Sequence, residues 1–258
     1  MTAFPIFSMS RAISALMLRE VATSYGRSPG GFVWAVAEPV AAIALLTAVF
    51  SVVFDRPSLG FSFALFYATG FLPFMMFNDT VNKVAAAIRF SRPLLAYPVV
   101  TVLDALLGRF FLNLLVHALI VSIMLFSIEA LFVTGALYDP ADLVVALAMA
   151  VSLALGIGTL NCYLGARFPV WERVWQIGTR PLFIVSGIFF VLEDLPAGLR
   201  DTAWWNPLIH VTALMRAGTY PYYEGTWISP AFVFGTALAA FVLGLVLLRQ
   251  TGRDILNS

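Results

Sequence analysis

Charge is scarce in this chain. Only 11% of its 258 residues are charged, against 61% hydrophobic, whereas a soluble domain carries about 25% charged residues. That shortage excludes an ordinary water-soluble domain and places the chain in a bilayer. Lysine is almost missing: all fifteen basic residues except Lys83 are arginine, the cation that stays charged when partly buried and forks onto carboxylates and phosphates. The single cysteine, Cys162, lies in an apolar run, so no intrachain disulfide can form and it reads as a small packing residue. There is no H-E-x-x-H, no metal spacing of two histidines and a cysteine, and no G-x-S-x-G, because Ser186-Gly187 lacks the glycine two positions before the serine. A membrane hydrolase is thereby disfavoured. The phosphate-cradling loop G-x-x-x-x-G-K-[ST] is also missing, since the only lysine follows Asn82. If ATP drives this protein, another chain binds it, and no cofactor or metal is expected on this one. A net charge of +1 singles out no partner, and no nucleic acid is expected.

What the chain has is long apolar stretches. A spanning helix needs about 20 mostly apolar residues, and six stretches qualify: residues 32–54, 60–77, 110–128, 143–166, 172–192 and 230–248. Arg11, Arg19, Glu20 and Arg27 break up the start, so no secretory signal is read there and the N-terminus is expected to stay in the cytoplasm. Lys83, Arg89, Arg92 and Arg109 lie between the second and third stretches. Arg167, Arg173 and Arg180 flank or enter the start of the fifth, and Arg249 and Arg253 follow the sixth. Only Arg56, Arg200 and Arg216 fall on the other side. Basic residues are retained in the cytoplasm, so both termini are predicted inside. The third connector, with Glu129, Asp139 and Asp142 and no basic companion, is predicted outside.

Three segments are unlike plain loops. Residues 1–31 mix Ile13, Leu16 and Met17 with arginines and close on a Ser-Pro-Gly-Gly breaker, which predicts an amphipathic helix in the membrane interface. The connector over 83–109 is basic, amphipathic and interrupted by Pro93 and Pro98, which predicts a pair of short cytoplasmic helices that a soluble partner can grip. Residues 193–229 hold Trp204, Trp205, Tyr220, Tyr222, Tyr223 and Trp227 among prolines and glycines. This segment is too apolar for a free loop and too broken for a span. Short helices dipping into the outer leaflet and an aromatic belt at the surface both fit.

Charge inside a span usually marks a pathway. Glu38 precedes Pro39 in the first stretch and Arg180 precedes Pro181 in the fifth; they either line a polar vestibule or snorkel and pair with neighbours. His117 stands mid-span with no titratable residue at helical spacing, which favours a hydrogen-bonded packing histidine over a proton relay. His210 has no obvious partner in sequence.

The residues also match a family. The run LREVATSYGRSPGGFVWAVAEP over 18–39 resembles the opening of ABC-2-type export permeases, where an interfacial helix with an arginine-acid pair leads into a span bearing W-x-x-x-E-P. RPLLAYPVVTVLD over 92–104 and RPLFIVSGIFF over 180–190 are similar to the capsular polysaccharide branch, as is Trp205-Asn-Pro207 followed by Arg216 and Tyr220.

That resemblance implies an all-α bacterial inner-membrane protein with six transmembrane helices and both termini inside. Its parts are an interface helix over 1–31, a six-helix domain over 32–248, a coupling segment over 83–109, re-entrant exterior helices over 193–229 and a cytoplasmic tail over 249–258. Two copies form a channel for a lipid-linked polysaccharide. Two copies of a separate subunit carry ATP and Mg, and periplasmic and outer-membrane export proteins continue the route. Arg19, Glu20, Lys83, Arg89, Arg92 and Pro93 are expected to receive the ATPase stroke. Trp204, Trp205, His210 and Arg216 are assigned to the exterior gate. Glu38 and Arg180, with Phe71, Phe74, Phe189 and Phe190 as sliding platforms for sugar rings, are the pathway candidates. Other cargoes (an O-antigen, a teichoic acid, a drug) and an ion-driven transporter are the alternatives, the latter calling for paired titratable groups near the midplane.

Overall fold

The computed structural model describes residues 5–25, 30–95 and 100–257. Arg27, the first half of the 28–31 breaker and Pro98 lie outside the described residues. Ten α-helices and no strands occur among them: α1 Pro5–Glu20, α2 Gly31–Val53, α3 Phe63–Ala85, α4 Ala87–Leu95, α5 Val102–Leu131, α6 Pro140–Arg167, α7 Trp171–Val185, α8 Ala197–Trp204, α9 Pro207–Ala217 and α10 Pro230–Asn257. A π-helical turn over Val21–Tyr25 follows α1.

Local chemistry sets several of these starts. Thr101 Oγ1 accepts the Asp104 N–H while Asp104 Oδ2 accepts the Thr101 N–H, a capping box that starts α5 eight residues before the apolar stretch itself. Asp139 and Asn206 cap α6 and α9, each followed by proline at the first helical position, where its missing N–H costs nothing.

Among the described residues, α2, α5, α6 and α10 are long and apolar enough to cross a bilayer. Two expected spans differ. The second stretch belongs to α3, which runs on to Ala85 and so brings Asn78, Asp79, Asn82 and Lys83 into the same helix. The fifth, expected as one helix over 172–192, is broken. Its helix α7 has 15 residues, about 22 Å at 1.5 Å per residue, and ends at Ser186-Gly187, where Gly187 takes φ 76, a left-handed conformation that glycine adopts without strain.

The core forms around α3, whose face from Ala64 to Phe77 is nearly all buried against α2, α5, α6 and α9. Helices α6 and α10 pack backbone to backbone. A Cβ on Gly156 would lie 2.2 Å from the Ala237 carbonyl oxygen, and one on Gly244 would lie 2.7 Å from the Leu160 nitrogen. Small residues serve this purpose between membrane helices, where contact depends on close approach. In contrast, α7 has no buried residue and α2 exposes Val33, Trp34, Leu45 and Val52.

One further expectation is corrected. Among the described residues the 83–109 connector contains one short helix of its own, α4, where a pair was expected, because α3 and the capped start of α5 take its two ends. The tail beyond 248 continues α10. The aromatic segment over 193–229 forms two short helices, α8 and α9, one of the two readings open for it, and α9 is buried from Leu208 to Arg216.

Candidate functional site

The two ends of the bundle carry different polar chemistry. At the end where α4 lies, a buried ion pair joins elements far apart in sequence. Arg109, near the start of α5, places Nη2 3.0 Å from Glu20 Oε1, donates Nε to both Glu20 oxygens at 3.1 Å and donates Nη1 to the Lys83 carbonyl at 2.8 Å. Its guanidinium sits 4.2 Å from the Phe90 ring of α4, and Arg19 approaches the same ring at 5.2 Å. Helices α1, α3, α4 and α5 therefore meet on one arginine. Gly108 permits the approach, since a Cβ there would meet Leu16 Cβ at 3.2 Å. On the other side of α4, Arg89 forms an exposed ion pair with Glu172 of α7. Arg92 is exposed beside Pro93, which sits within α4 two residues before its end.

A polar column continues up the bundle from this node. Asn113 Nδ2 donates to the Arg109 carbonyl, and one turn further His117 Nε2 is 3.5 Å from Asp79 of α3. Glu38 of α2 and Lys83 of α3 both act electrostatically on Asp79. His117 thus has a titratable neighbour, on a different helix. Lys83 faces this column, while its backbone carbonyl belongs to the arginine node.

Between α2, α3 and the break after α7 lies an aromatic cluster. Phe183 makes edge contacts with Phe71 (6.2 Å), Phe74 (5.2 Å) and Phe189 (5.3 Å), and Phe189 reaches Phe50 and Tyr67. The four phenylalanines expected on the pathway are therefore not equivalent. Phe71, Phe74 and Phe189 come together around Phe183, whereas Phe190 contributes its carbonyl to Arg216. Arg180 is exposed on α7, makes no ion pair among the described residues and does not join Glu38.

At the opposite end Arg216 of α9 is 1% exposed. It donates to the carbonyls of Phe190 (2.8 Å) and Ile188 (3.1 Å) and lies 4.2 Å from the Phe66 ring, so it ties down the chain where α7 breaks. No carboxylate pairs with it among the described residues. Burial lowers its pKa to about 10, which still leaves it charged at neutral pH. His210 is also fully buried. The Ser229 N–H donates to Nδ1 at 3.2 Å, so in the neutral ring Nε2 carries the proton and donates to the Trp204 carbonyl at 2.8 Å. Burial pulls its pKa down. Trp204 stacks on Phe232 and meets Trp205 and His210 edge-on. Glu193 accepts from Tyr223 and from the Trp227 indole. All four residues expected at the exterior gate thus belong to one fold unit, though Arg216 acts through carbonyls and His210 through neutral hydrogen bonds.

The ABC-2 type transporter family matches residues 11–220. The chain belongs to that family. This ABC-2 permease is 28% identical over 249 residues to a polysialic acid transport protein, KpsM, of Escherichia coli, with 95% of each chain covered. It is 28% identical to the capsule polysaccharide export inner-membrane protein BexB of Haemophilus influenzae over 95% of this chain and 92% of that one. It is 26% identical to CtrC of Neisseria meningitidis, a protein of the same description, with the same coverage. The permease is a multi-pass inner-membrane protein.

Sequence reasoning missed Arg109, Asp79 and Phe183. Arg109 pairs across 89 positions, so no spacing rule reaches it; its signal was an arginine immediately before a long apolar run, together with an acid, Glu20, in the interface helix.

Proposed function

We propose that this chain is the membrane-spanning subunit of an ATP-driven exporter that moves a lipid-linked capsular polysaccharide across the bacterial inner membrane. The observation that carries this reading is similarity along 95% of the chain to permeases named for capsule and polysialic acid transport. The geometry is consistent with it. Without a nucleotide loop of its own, the subunit takes its drive from a separate ATPase dimer that holds ATP and Mg. The arginine-rich end faces the cytoplasm and receives that dimer, in keeping with the retention of basic segments there.

In this arrangement six crossings are made by α2, α3, α5, α6, α7 with the turn after it, and α10. Movement of α4 is passed through Phe90 to Arg109, and from there to α1 and α5 together, because a buried ion pair resists being separated. The Arg89–Glu172 pair carries the same movement to α7. The exposed apolar faces of α2 and α7 meet a second copy of the chain, and the polymer passes between the copies along the aromatic cluster. Rings offer weak, repeated contacts to sugar faces, which lets a chain slide. The α8–α9 unit closes the exterior end, from which periplasmic and outer-membrane export proteins continue the route.

Purification of the tagged permease from its native membranes, followed by assay of ATP hydrolysis in lipid, tests this reading. A stable complex that hydrolyses ATP is expected, together with loss of surface polysaccharide when the permease gene is deleted. Failure of any ATPase subunit to co-purify would sink it.

A further inference from the structure

A cavity of about 480 Å³ opens at the tryptophan-rich end, between the turn after Val191, helix α8 and Trp227. That is within the range of small-ligand sites. Three indoles, Trp204, Trp205 and Trp227, line it together with Glu193, Arg200 and Asp201. Two of the indoles are fixed walls. Trp204 and Trp227 each lie 5.1 Å from the buried His210 ring, Trp204 Nε1 donates to the Trp227 carbonyl at 3.4 Å, and Trp227 Nε1 donates to Glu193 Oε1 at 2.6 Å. The third is open: Trp205 is 69% exposed, and its Nε1–H has no acceptor among the described residues. The charged groups are within reach as well, since Glu193, Arg200 and Asp201 are all exposed. Arg200 donates Nη2 to the carbonyls of Glu193 and Leu195 and keeps its other N–H groups. The Asp201 carboxylate makes neither an ion pair nor a hydrogen bond among the described residues.

We infer that this cavity is a sugar-binding subsite at the exterior mouth, which takes uncharged, hydroxyl-bearing units of the emerging polymer. It deepens the export reading and rests on it, since that reading puts the tryptophan-rich end outside. An open indole face packs against the C–H face of a sugar ring. A hydroxyl both donates and accepts, so neighbouring hydroxyls use Asp201 as acceptor and Trp205 or Arg200 as donor at once. A carboxylate-bearing or phosphate-bearing unit gains only the donors, and it meets two carboxylates against one guanidinium. The adjoining cavity shares Glu193 and Trp227 and adds Asp194 and Glu224, so the local field opposes an anion further. A membrane-surface belt accounts for Trp205 but not for the other two walls. A belt indole turns its N–H to water, whereas Trp204 and Trp227 direct theirs into the fold.

Titration of the full-length permease in nanodiscs with maltohexaose, a neutral sugar oligomer, tests the subsite, with oligosialic acid of equal length as the anionic comparison probe. Maltohexaose is expected to bind saturably. Trp205→Ala is expected to weaken it about tenfold, the effect of losing one stacking surface, and to leave oligosialic acid unchanged. Asp201→Asn should weaken maltohexaose severalfold by removing a charged acceptor and should not weaken the acidic oligomer. Both positions are exposed, so the variants keep the fold. No saturable binding of maltohexaose, or equal affinity for it in wild type and both variants, overturns the subsite. So does Arg200→Gln weakening oligosialic acid alone, which would make the cavity an anion site. Loss of a co-purifying periplasmic protein from Trp205→Ala with maltohexaose affinity unchanged would make it a docking face and overturns it too. A change in quenching of tryptophan fluorescence by brominated lipid in Trp205→Ala, again with sugar binding unchanged, would assign the ring to the membrane surface instead. Deletion of the gene separates the two claims: lost surface polymer with unaltered maltohexaose binding in the variants removes the subsite only, and retained surface polymer removes the export reading.

Discussion

The arginine-rich and tryptophan-rich ends of the bundle each bury an arginine, and they neutralise it in opposite ways. Arg109 meets a carboxylate on a different helix, with 3.0 Å between charges. Arg216 meets two backbone carbonyls and a phenyl ring. An ion pair between helices transmits a push, because separating it strands both charges in low dielectric. A guanidinium bound to carbonyls of an irregular turn holds that turn in one shape and links it to α9. The difference teaches that one end locks separate helices together through charge, while the other holds a broken segment in one shape through its own carbonyls.

The largest effect should come from breaking the pair at the first end. Arg109→Met strands Glu20 and is expected to cost about 3–5 kcal/mol, seen as a large drop in thermal unfolding temperature in detergent or lipid. Adding Glu20→Met to Arg109→Met should restore most of that stability while leaving surface polysaccharide low. A double variant that exports normally would show that the pair serves stability alone.

Next in size is Arg216→Lys. An ammonium cannot reproduce the fork onto Ile188 and Phe190, so about 1–3 kcal/mol should be lost. Placing a new carboxylate nearby should not rescue it, since no ion pair is being replaced. Rescue by charge would erase the distinction between the two ends.

His210 gives a pH test of the tryptophan-rich end. Its pKa is lowered from 6.5 by burial, so the folded form holds the ring neutral and binds fewer protons than the unfolded form. Its contribution to stability is present above about pH 6.5 and is lost as pH falls below that value. Protonation would set an N–H against the Ser229 N–H. His210→Phe should cost about 1–3 kcal/mol at neutral pH through the two orphaned partners and should remove this acid-side loss. An identical slope between pH 7 and 5 in variant and wild type would exclude His210 as its source. The smallest stability effect belongs to Arg89→Gln, an exposed pair worth about 0–1 kcal/mol, although export should fall if α4 drives α7.

The sequence made some of this legible and concealed the rest for identifiable reasons. The starts of α6 and α9 could be read from Asp139-Pro140 and Asn206-Pro207, because caps are local. The four most apolar helices were visible in the same way. The break after α7 was hidden by continuous hydrophobicity through 188–192, with Ser186-Gly187 its one warning. The candidate residues Glu20, Arg89, Arg92, Trp204 and Arg216 stood out as charge or aromatic residues where the membrane disfavours or concentrates them. Their partners did not. Asp79 faces His117 from another helix, and Arg109 finds Glu20 through the packing of α1 on α5, a tertiary contact that no periodicity encodes.

The ratio of polymer exported to ATP hydrolysed, measured on the permease with its ATPase in sealed vesicles, tests the account most directly. Glu20→Met/Arg109→Met is predicted to lower this ratio severalfold, because ATP is spent without the stroke reaching the bundle. Arg216→Lys is predicted to lower export and hydrolysis together. The same ratio in the Glu20/Arg109 double variant as in wild type would contradict it.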